Sequence, residues 1–351
     1  MTIKNNARVL KKGYSISPII KGGWQLAGGH GVIDKESAIA DMFRFVQCGI
    51  TTFDCADIYT GVEEMIGEFL RQYRKRYGRT KASAIHIHTK CVPDLDKLST
   101  ISKEYIESII DRSRERLGLQ QLDVVQFHWW DFDIPGHMQV MEYLAELQKA
   151  GKIRHLAVTN FDMLHLQDVK ERGISIVSNQ VQYSLLDHRP EHGMVEFCRK
   201  NAISLLCYGT LAGGFLSEKY LGIPEPVEPL ENRSLTKYKL IINEFGGRRR
   251  FQILLKTLSR VAQKHHVTIS HVAMKYIIEK PIVAAIIVGA RNSAHLRGLE
   301  QVFSFDLDEE DKEKIRHVVG SAEGPAGDIY SVERIKNGPH ATIMKYNLSK
   351  V

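Results

Sequence analysis

A chain of 351 residues, 43% of them hydrophobic and 25% charged, has the composition of an ordinary globular protein and is long enough to bury a large core. Its net charge of +7 favours anionic partners, but the positive residues are dispersed, only Arg248, Arg249 and Arg250 form a run, and no recognition motif accompanies them, so we expect no nucleic-acid partner. No apolar run reaches the roughly 18 residues of a membrane span, the opening MTIKNNARVLKK has no apolar leader, and the five cysteines show no C-x-x-C spacing, which together predict a cytoplasmic protein with reduced thiols.

Taken in chain order, residues 7–16 (ARVLKKGYSI) read as a small hairpin at the floor of whatever follows. An apolar, β-branched run at 17–25 predicts a first strand, and apolar residues spaced by three and four predict a helix over 35–48. The same alternation continues with strands at 51–56, 84–92, 122–129, 156–160, 176–183 and 204–210. The helices that follow the first five of these are expected at 62–73, 103–117, 138–150, 164–172 and 193–200. Two helices at 251–265 and 270–279 precede a last strand at 284–288 and a helix at 293–302. Gly49, Gly118, Gly151 and Gly173 each stand where a helical stretch must stop before a strand, as C-terminal caps do. A repeated β-then-α order implies a parallel sheet, and eight units imply closure into a (β/α)8 TIM barrel. A doubly wound dinucleotide fold is the rival, but no G-x-G-x-x-G follows the first strand. The reading is therefore one domain over 1–351, with a barrel core over about 17–305, a long connection at 219–250 after the seventh strand, and a tail at 306–351.

In such barrels the chemistry sits at the C-terminal ends of the strands. The runs deliver polar groups there: Asp54 with Tyr59 just beyond, Lys90, His128, Thr159 and Asn160, Asn179 and Gln180, and Tyr208. Four of these residue types make sense together. A phenol donates a proton poorly at neutral pH, an ammonium beside it favours phenolate, a carboxylate holds that ammonium, and an imidazole orients a carbonyl oxygen. His86, His88 and Lys90 share one strand face, but no cysteine or carboxylate spacing completes a metal site, so no metal is expected. Cys55 and Cys91 alternate away from the mouth and read as core residues.

The stretches GGWQL (22–26), FDCADIY (53–59), HTK (88–90), QFHWW (126–130), VTNF (158–161), SNQVQYSLL (178–186), YGTLAGGFLSEKY (208–220) and VGARNSAHL (288–296) resemble, in order and spacing, those of the aldo-keto reductase superfamily. The resemblance implies reversible NAD(P)(H)-dependent reduction of aldehydes or ketones without a metal. It places the catalytic tetrad on Asp54, Tyr59, Lys90 and His128, with Tyr59 as general acid, Lys90 lowering its pKa, Asp54 pairing Lys90 and His128 positioning the carbonyl. It places nicotinamide contacts on Thr159, Asn160 and Gln180 and a stacking ring on Tyr208. Gly23, Trp24, Gly209, Leu211, Gly289, Arg291 and Asn292 are further cofactor contacts, with Arg291 and Asn292 at a helix N-terminus suited to phosphate. The resemblance implies a pocket lined by Trp24, and of the two rings flanking His128, Trp129 and Trp130, one is expected to line it and the other to fill space, Trp129 being the choice for the pocket. Gly298 and Leu299 stand where many members carry Glu-Asn, and Arg291 with the basic chain favours NADP(H) over NAD(H). A sugar or polyol dehydrogenase working in the oxidative direction, or a cofactor-binding regulatory subunit, are the alternatives. The partner is a small carbonyl or sugar molecule, specificity is expected in the loops 25–34, 129–137, 219–250 and 321–345, and oligomeric state stays open.

Overall fold

The computed structural model describes residues 6–28, 30–290, 292–296 and 298–348. An antiparallel hairpin of β1 (Arg8–Lys11) and β2 (Tyr14–Ile16) turns at Gly13, whose φ of 76° needs a residue without a Cβ. Then come β3 (Ile19–Gly22), α1 (Lys35–Gln47), β4 (Thr52–Asp54), α2 (Val62–Tyr77), the short α3 (Arg79–Ala82), β5 (His86–Cys91), α4 (Lys103–Leu117), β6 (Leu122–Phe127) and α5 (His137–Lys149). They are followed by β7 (Ile153–Thr159), α6 (Met163–Glu171), β8 (Ser178–Gln182), α7 (Met194–Lys200), β9 (Ser204–Tyr208), α8 (Arg233–Glu244), α9 (Gly247–Lys264), α10 (Ile269–Ile278), β10 (Val283–Val288), α11 (Glu309–Gly320) and α12 (Pro339–Thr342). Strands β3 to β10 pair in parallel and in sequence order, and β10 closes on β3 to complete an eight-stranded barrel. This is the (β/α)8 architecture that the alternation predicts, with the hairpin added. Among the described residues no helix is long and apolar enough to cross a membrane.

Local chemistry sets the helix starts. Asp34, Ser102, Asp162, Asn232, Thr268 and Asp308 each accept a hydrogen bond from a first-turn amide, which satisfies a donor the helix itself cannot pair. The apolar helix faces and the outward strand residues form one large core between barrel and helices. Inside the barrel, Tyr14 of the hairpin plugs the floor among Leu10, Ile16, Ile20, Val124, Val177 and Leu206. Its hydroxyl pairs with His88 Nε2 at 3.1 Å, and its ring packs 4.6 Å from that of His86 and 4.7 Å from that of His155. The strand histidines thus fill a middle layer of the barrel.

Three expectations change. The first strand is only Ile19–Gly22, because Gly22 and Gly23 lead into a 3-10 turn at Trp24–Leu26. The connection at 219–250 is not irregular throughout: it carries α8, capped by Asn232, and the start of α9. The helix expected over 293–302 is two 3-10 turns, Ser293–Leu296 and Leu299–Phe303, separated where Gly298 takes a φ of 82°. The tail returns across the mouth, where Arg334 donates to the main-chain oxygens of Trp129 and Asn160 at 3.0 Å each and of Trp130 at 3.3 Å. Glu333 and Asp187 clasp the guanidinium of Arg189 with almost no exposure to solvent.

Lys21, in β3 directly before the glycines, is buried and donates to Gly22 O at 2.7 Å. Burial brings its ammonium down to about 7 although Asp41 and Asp54 oppose the shift. An unfolded lysine keeps its proton to about 10.4, so between these values the unfolded chain binds more protons and stability rises with pH. We predict that Lys21→Met removes this slope: its stability advantage over the parent, measured by denaturant unfolding, is largest at neutral pH and shrinks toward pH ~10.

Candidate active site

Strand β4 ends at Asp54, and its neighbour β5 sets His88 beside it, so Lys90 extends two residues further toward the mouth on the same face. Lys90 Nζ donates to Asp54 Oδ2 at 2.6 Å and to Cys55 O at 2.9 Å. The other carboxylate oxygen, Oδ1, accepts from Gln126 Nε2 on β6 at 2.8 Å and from Gln180 Nε2 on β8 at 2.6 Å. Gln180 Nε2 also lies 2.7 Å from Gln126 Oε1. Asp54 is therefore anchored from three strands. Beyond it the chain turns through Ala56–Tyr59, and α2 begins behind Gly61 in the left-handed region, φ 75°. That turn puts the Tyr59 ring 5.0 Å from Lys90 Nζ and 5.2 Å from the Trp24 ring. His128 follows β6, with its ring 4.4 Å from Trp130 and 5.5 Å from Tyr330.

Burial dominates the electrostatics. It lowers the Lys90 ammonium, but Asp54 and Tyr59 more than offset it and leave Lys90 above its ordinary value. The Tyr59 phenol is raised by its enclosure, with Lys90 pulling the other way without overcoming it. Lys90 thus lowers the phenol as expected, but by less than burial raises it. His128 falls to about 3 through burial and the nearby Arg334 charge, so it is neutral at physiological pH. Its Nδ1 is 3.3 Å from Thr159 O, and a carbonyl oxygen only accepts, so Nδ1 carries the proton and Nε2 presents a lone pair.

Around this tetrad stand most of the residues expected to hold a cofactor. Thr159 Oγ1 donates to Gln180 O at 3.1 Å. Asn160 has a φ of 59°, a left-handed conformation that asparagine tolerates, and its Oδ1 accepts from the Tyr208 hydroxyl at 2.9 Å. Lys237 of α8 lies over the Tyr208 ring at 5.0 Å. Gly23 N donates to Asp54 O at 2.7 Å, and a Cβ on Gly23 would meet that same oxygen. Gly209, φ 74°, packs under the hydroxyl of Tyr238, and Leu211 leads the turn at Ala212–Gly214. Gly289 packs against the Gln25 side chain, whose buried Oε1 has no partner among the described residues. Asn292 is exposed and its Oδ1 accepts from Ala294 N at 3.1 Å, directly before a 3-10 turn rather than an α-helix. Arg291 lies outside the described residues.

One pocket assignment is corrected. Trp129 is fully buried, donates from Nε1 to Ile134 O at 3.0 Å and packs in the core against Phe127. Alternation explains this: with His128 turned toward the mouth, Trp129 turns outward and Trp130 back in. Trp130, bonded through Nε1 to Pro93 O at 2.9 Å, is the ring beside His128. Of the aromatic residues in the loops, Tyr238 and Tyr330 reach the mouth, whereas Phe245 lies in the core and Tyr220 packs on Phe215. Gln126, Lys237 and Arg334 belong to the site without having been singled out. Gln126 was findable, since it shares the inward face of its strand with the residue two positions on, His128.

The model of the Aldo/keto reductase family matches residues 18–319, nearly the whole described chain and every strand of the barrel. The chain belongs to this family. Among curated aldo-keto reductase relatives, Aldo-keto reductase YhdN of Bacillus subtilis is 25% identical over 315 residues, covering 88% of this chain and 91% of that one. A protein named NADH-specific methylglyoxal reductase from Escherichia coli is 23% identical over 324 residues, covering 86% and 94%. Among solved structures, a thermostable aldo-keto reductase in complex with the inhibitor epalrestat superposes with a TM-score of 0.69 at 25% identity, covering 89% of this chain and 99% of that one.

Removing one partner of a buried ion pair strands the other charge. Lys90→Met is predicted to destabilise this aldo-keto reductase by about 3–5 kcal/mol in chemical unfolding, while Lys90→Met combined with Asp54→Leu regains a large part of that loss.

Proposed function

We propose that this chain reduces aldehydes or ketones to alcohols with a nicotinamide cofactor, NADP(H) in preference to NAD(H), using Tyr59 as the acid. The observation that carries this reading is the Tyr59 phenol held over the buried Lys90–Asp54 pair at the strand ends. The residues present fit the cofactor. Asn160 Nδ2 and Gln180 Oε1 have no hydrogen-bond partner among the described residues, so a donor and an acceptor are left over for a carboxamide. The ring of Tyr208 offers a flat face beside them, and Lys237 and Arg334 make the mouth positive, as an anionic cofactor or substrate group requires.

When bound, the reduced nicotinamide would supply the hydride. Tyr59 would give its phenolic proton to the carbonyl oxygen, and Lys90 would stabilise the phenolate left behind. The neutral His128, with its lone pair on Nε2, would accept a hydrogen bond from the new hydroxyl rather than donate one to the carbonyl. The same acceptor would hold an alcohol substrate, which is the feature favouring sugar or polyol oxidation as the second reading. Because the phenol is raised, Tyr59 stays protonated through neutral pH. Reduction should therefore be flat across neutral pH and fall only in the alkaline range, with oxidation rising there instead.

Tyr59→Phe is expected to abolish turnover of carbonyl substrates while cofactor binding, followed by fluorescence titration, stays within about threefold. Titration of the purified chain with NADPH and with NADH tests the preference. Tighter NADPH binding that Arg291→Ala weakens at least ~10-fold supports it, and equal or tighter NADH binding moves the oxidative reading forward. Binding of neither removes the enzyme reading.

A further inference from the structure

Beside the mouth, and outside the tetrad, two helices bring three metal-ligating side chains together. His137 opens α5, and His165 and Asp168 sit one turn apart on α6, so that they share a face. One ligand atom from each lies within 4.8 Å of the others. Among the described residues neither buried ring nitrogen of His137 has a hydrogen-bond partner, and Asp168 Oδ2 is 3.7 Å from Nε2. The His165 ring is fixed on two sides. Its Nδ1 donates to Asp162 Oδ1 at 2.6 Å, and Phe132 stacks on it at 3.5 Å with an interplanar angle of 6°. A carboxylate on Nδ1 sets the tautomer that leaves the Nε2 lone pair free, which is the arrangement of histidines that ligate metals.

We propose that His137, His165 and Asp168 form a binding site for a divalent transition-metal ion, best matched to Zn2+. Two imidazoles and one carboxylate are a donor set that zinc takes with water in the remaining position. Bonds of about 2.0–2.2 Å place ligand atoms roughly 3.4 Å apart in a tetrahedron, so closure from 4.8 Å takes a rotation of Asp168, whose side chain is 39% exposed. The alternative is a simple ion pair between His137 and Asp168. At 3.7 Å, however, Asp168 Oδ2 is beyond hydrogen-bond distance of His137 Nε2. The ion would take no part in hydride transfer. Phe132 carries the His165 ring on one face and the Arg334 guanidinium, 4.4 Å away, on the other. Binding would thus brace the loop after β6 that leads from His128 to α5.

The experiment is a Zn2+ titration of the untagged full chain, stripped beforehand with a chelator, in competition with a chromophoric chelator, and a parallel Co2+ titration read by visible absorption. One equivalent should bind with absorption of tetrahedral intensity. His137→Ala and His165→Ala should each weaken binding by more than ~10-fold, and Asp162→Asn, which touches no metal, by about 10-fold. Asp168→Asn, at an exposed position that leaves the fold intact, should weaken it as well, while His317→Ala on α11 should have no effect. Unchanged affinity in Asp168→Asn and His165→Ala, or no stoichiometric binding by the parent chain, overturns the proposal.

Discussion

The mouth of this barrel is organised by a charge that has been taken out of water. Lys90 and Asp54 have side chains exposed by only 7% and 6%, and an ion pair at that depth repays its lost hydration only when every remaining lone pair and proton is matched. Cys55 O takes a further lysine proton, and Gln126 and Gln180 reach across from two other strands to the second carboxylate oxygen. That requirement sets the strand ends apart from the layer beneath them. Below the pair lie Tyr14 and the strand histidines, packed among Ile20, Val124 and Leu206, with Val124 level with His88. The ion pair and the amides that match it stand above this layer, at the strand ends.

The same burial decides the protonation of the groups above it. A lysine 5.0 Å from a phenol is enough to oppose its upward shift but not to reverse it, because the phenol is also losing solvent and also faces Asp54. His128 is driven neutral by its enclosure and by Arg334, a residue contributed by the tail. The barrel supplies these titratable groups, and the segments that cover it tune them. This division follows from dielectric: field strength at the strand ends depends on what excludes water there.

The repeat of short β-branched runs and amphipathic stretches made the barrel legible, and the polar residues ending those runs made Asp54, Tyr59, Lys90 and His128 legible as a group. The helix over 103–117 was read to the residue, because Ser102 and Gly118 punctuate both ends. What escaped reading had physical reasons. Helix α8 lies behind a run of Pro, Glu and Asn, and its apolar residues Leu235, Tyr238, Ile241 and Ile242 bury against the barrel rather than in a repeat unit. Residues 293–302 have helical spacing, yet Gly298 interrupts them with a left-handed residue. Trp129 and Trp130 look equivalent in sequence, and only strict alternation from His128 separates core from pocket. Arg189, Asp187 and Glu333 form their buried cluster across 144 positions of chain, a distance at which no spacing rule operates.

Tyr330 carries one more consequence. It stands at 5.5 Å from the His128 ring with a backbone φ of 59°, in a region that a bulky side chain occupies only under strain. Such a residue stores on the order of 1–3 kcal/mol, held here by the Arg189 and Arg334 anchors on its neighbours Glu333 and the loop after β6. The C-terminal segment lies over the mouth at a conformational cost that its two arginine anchors must outweigh.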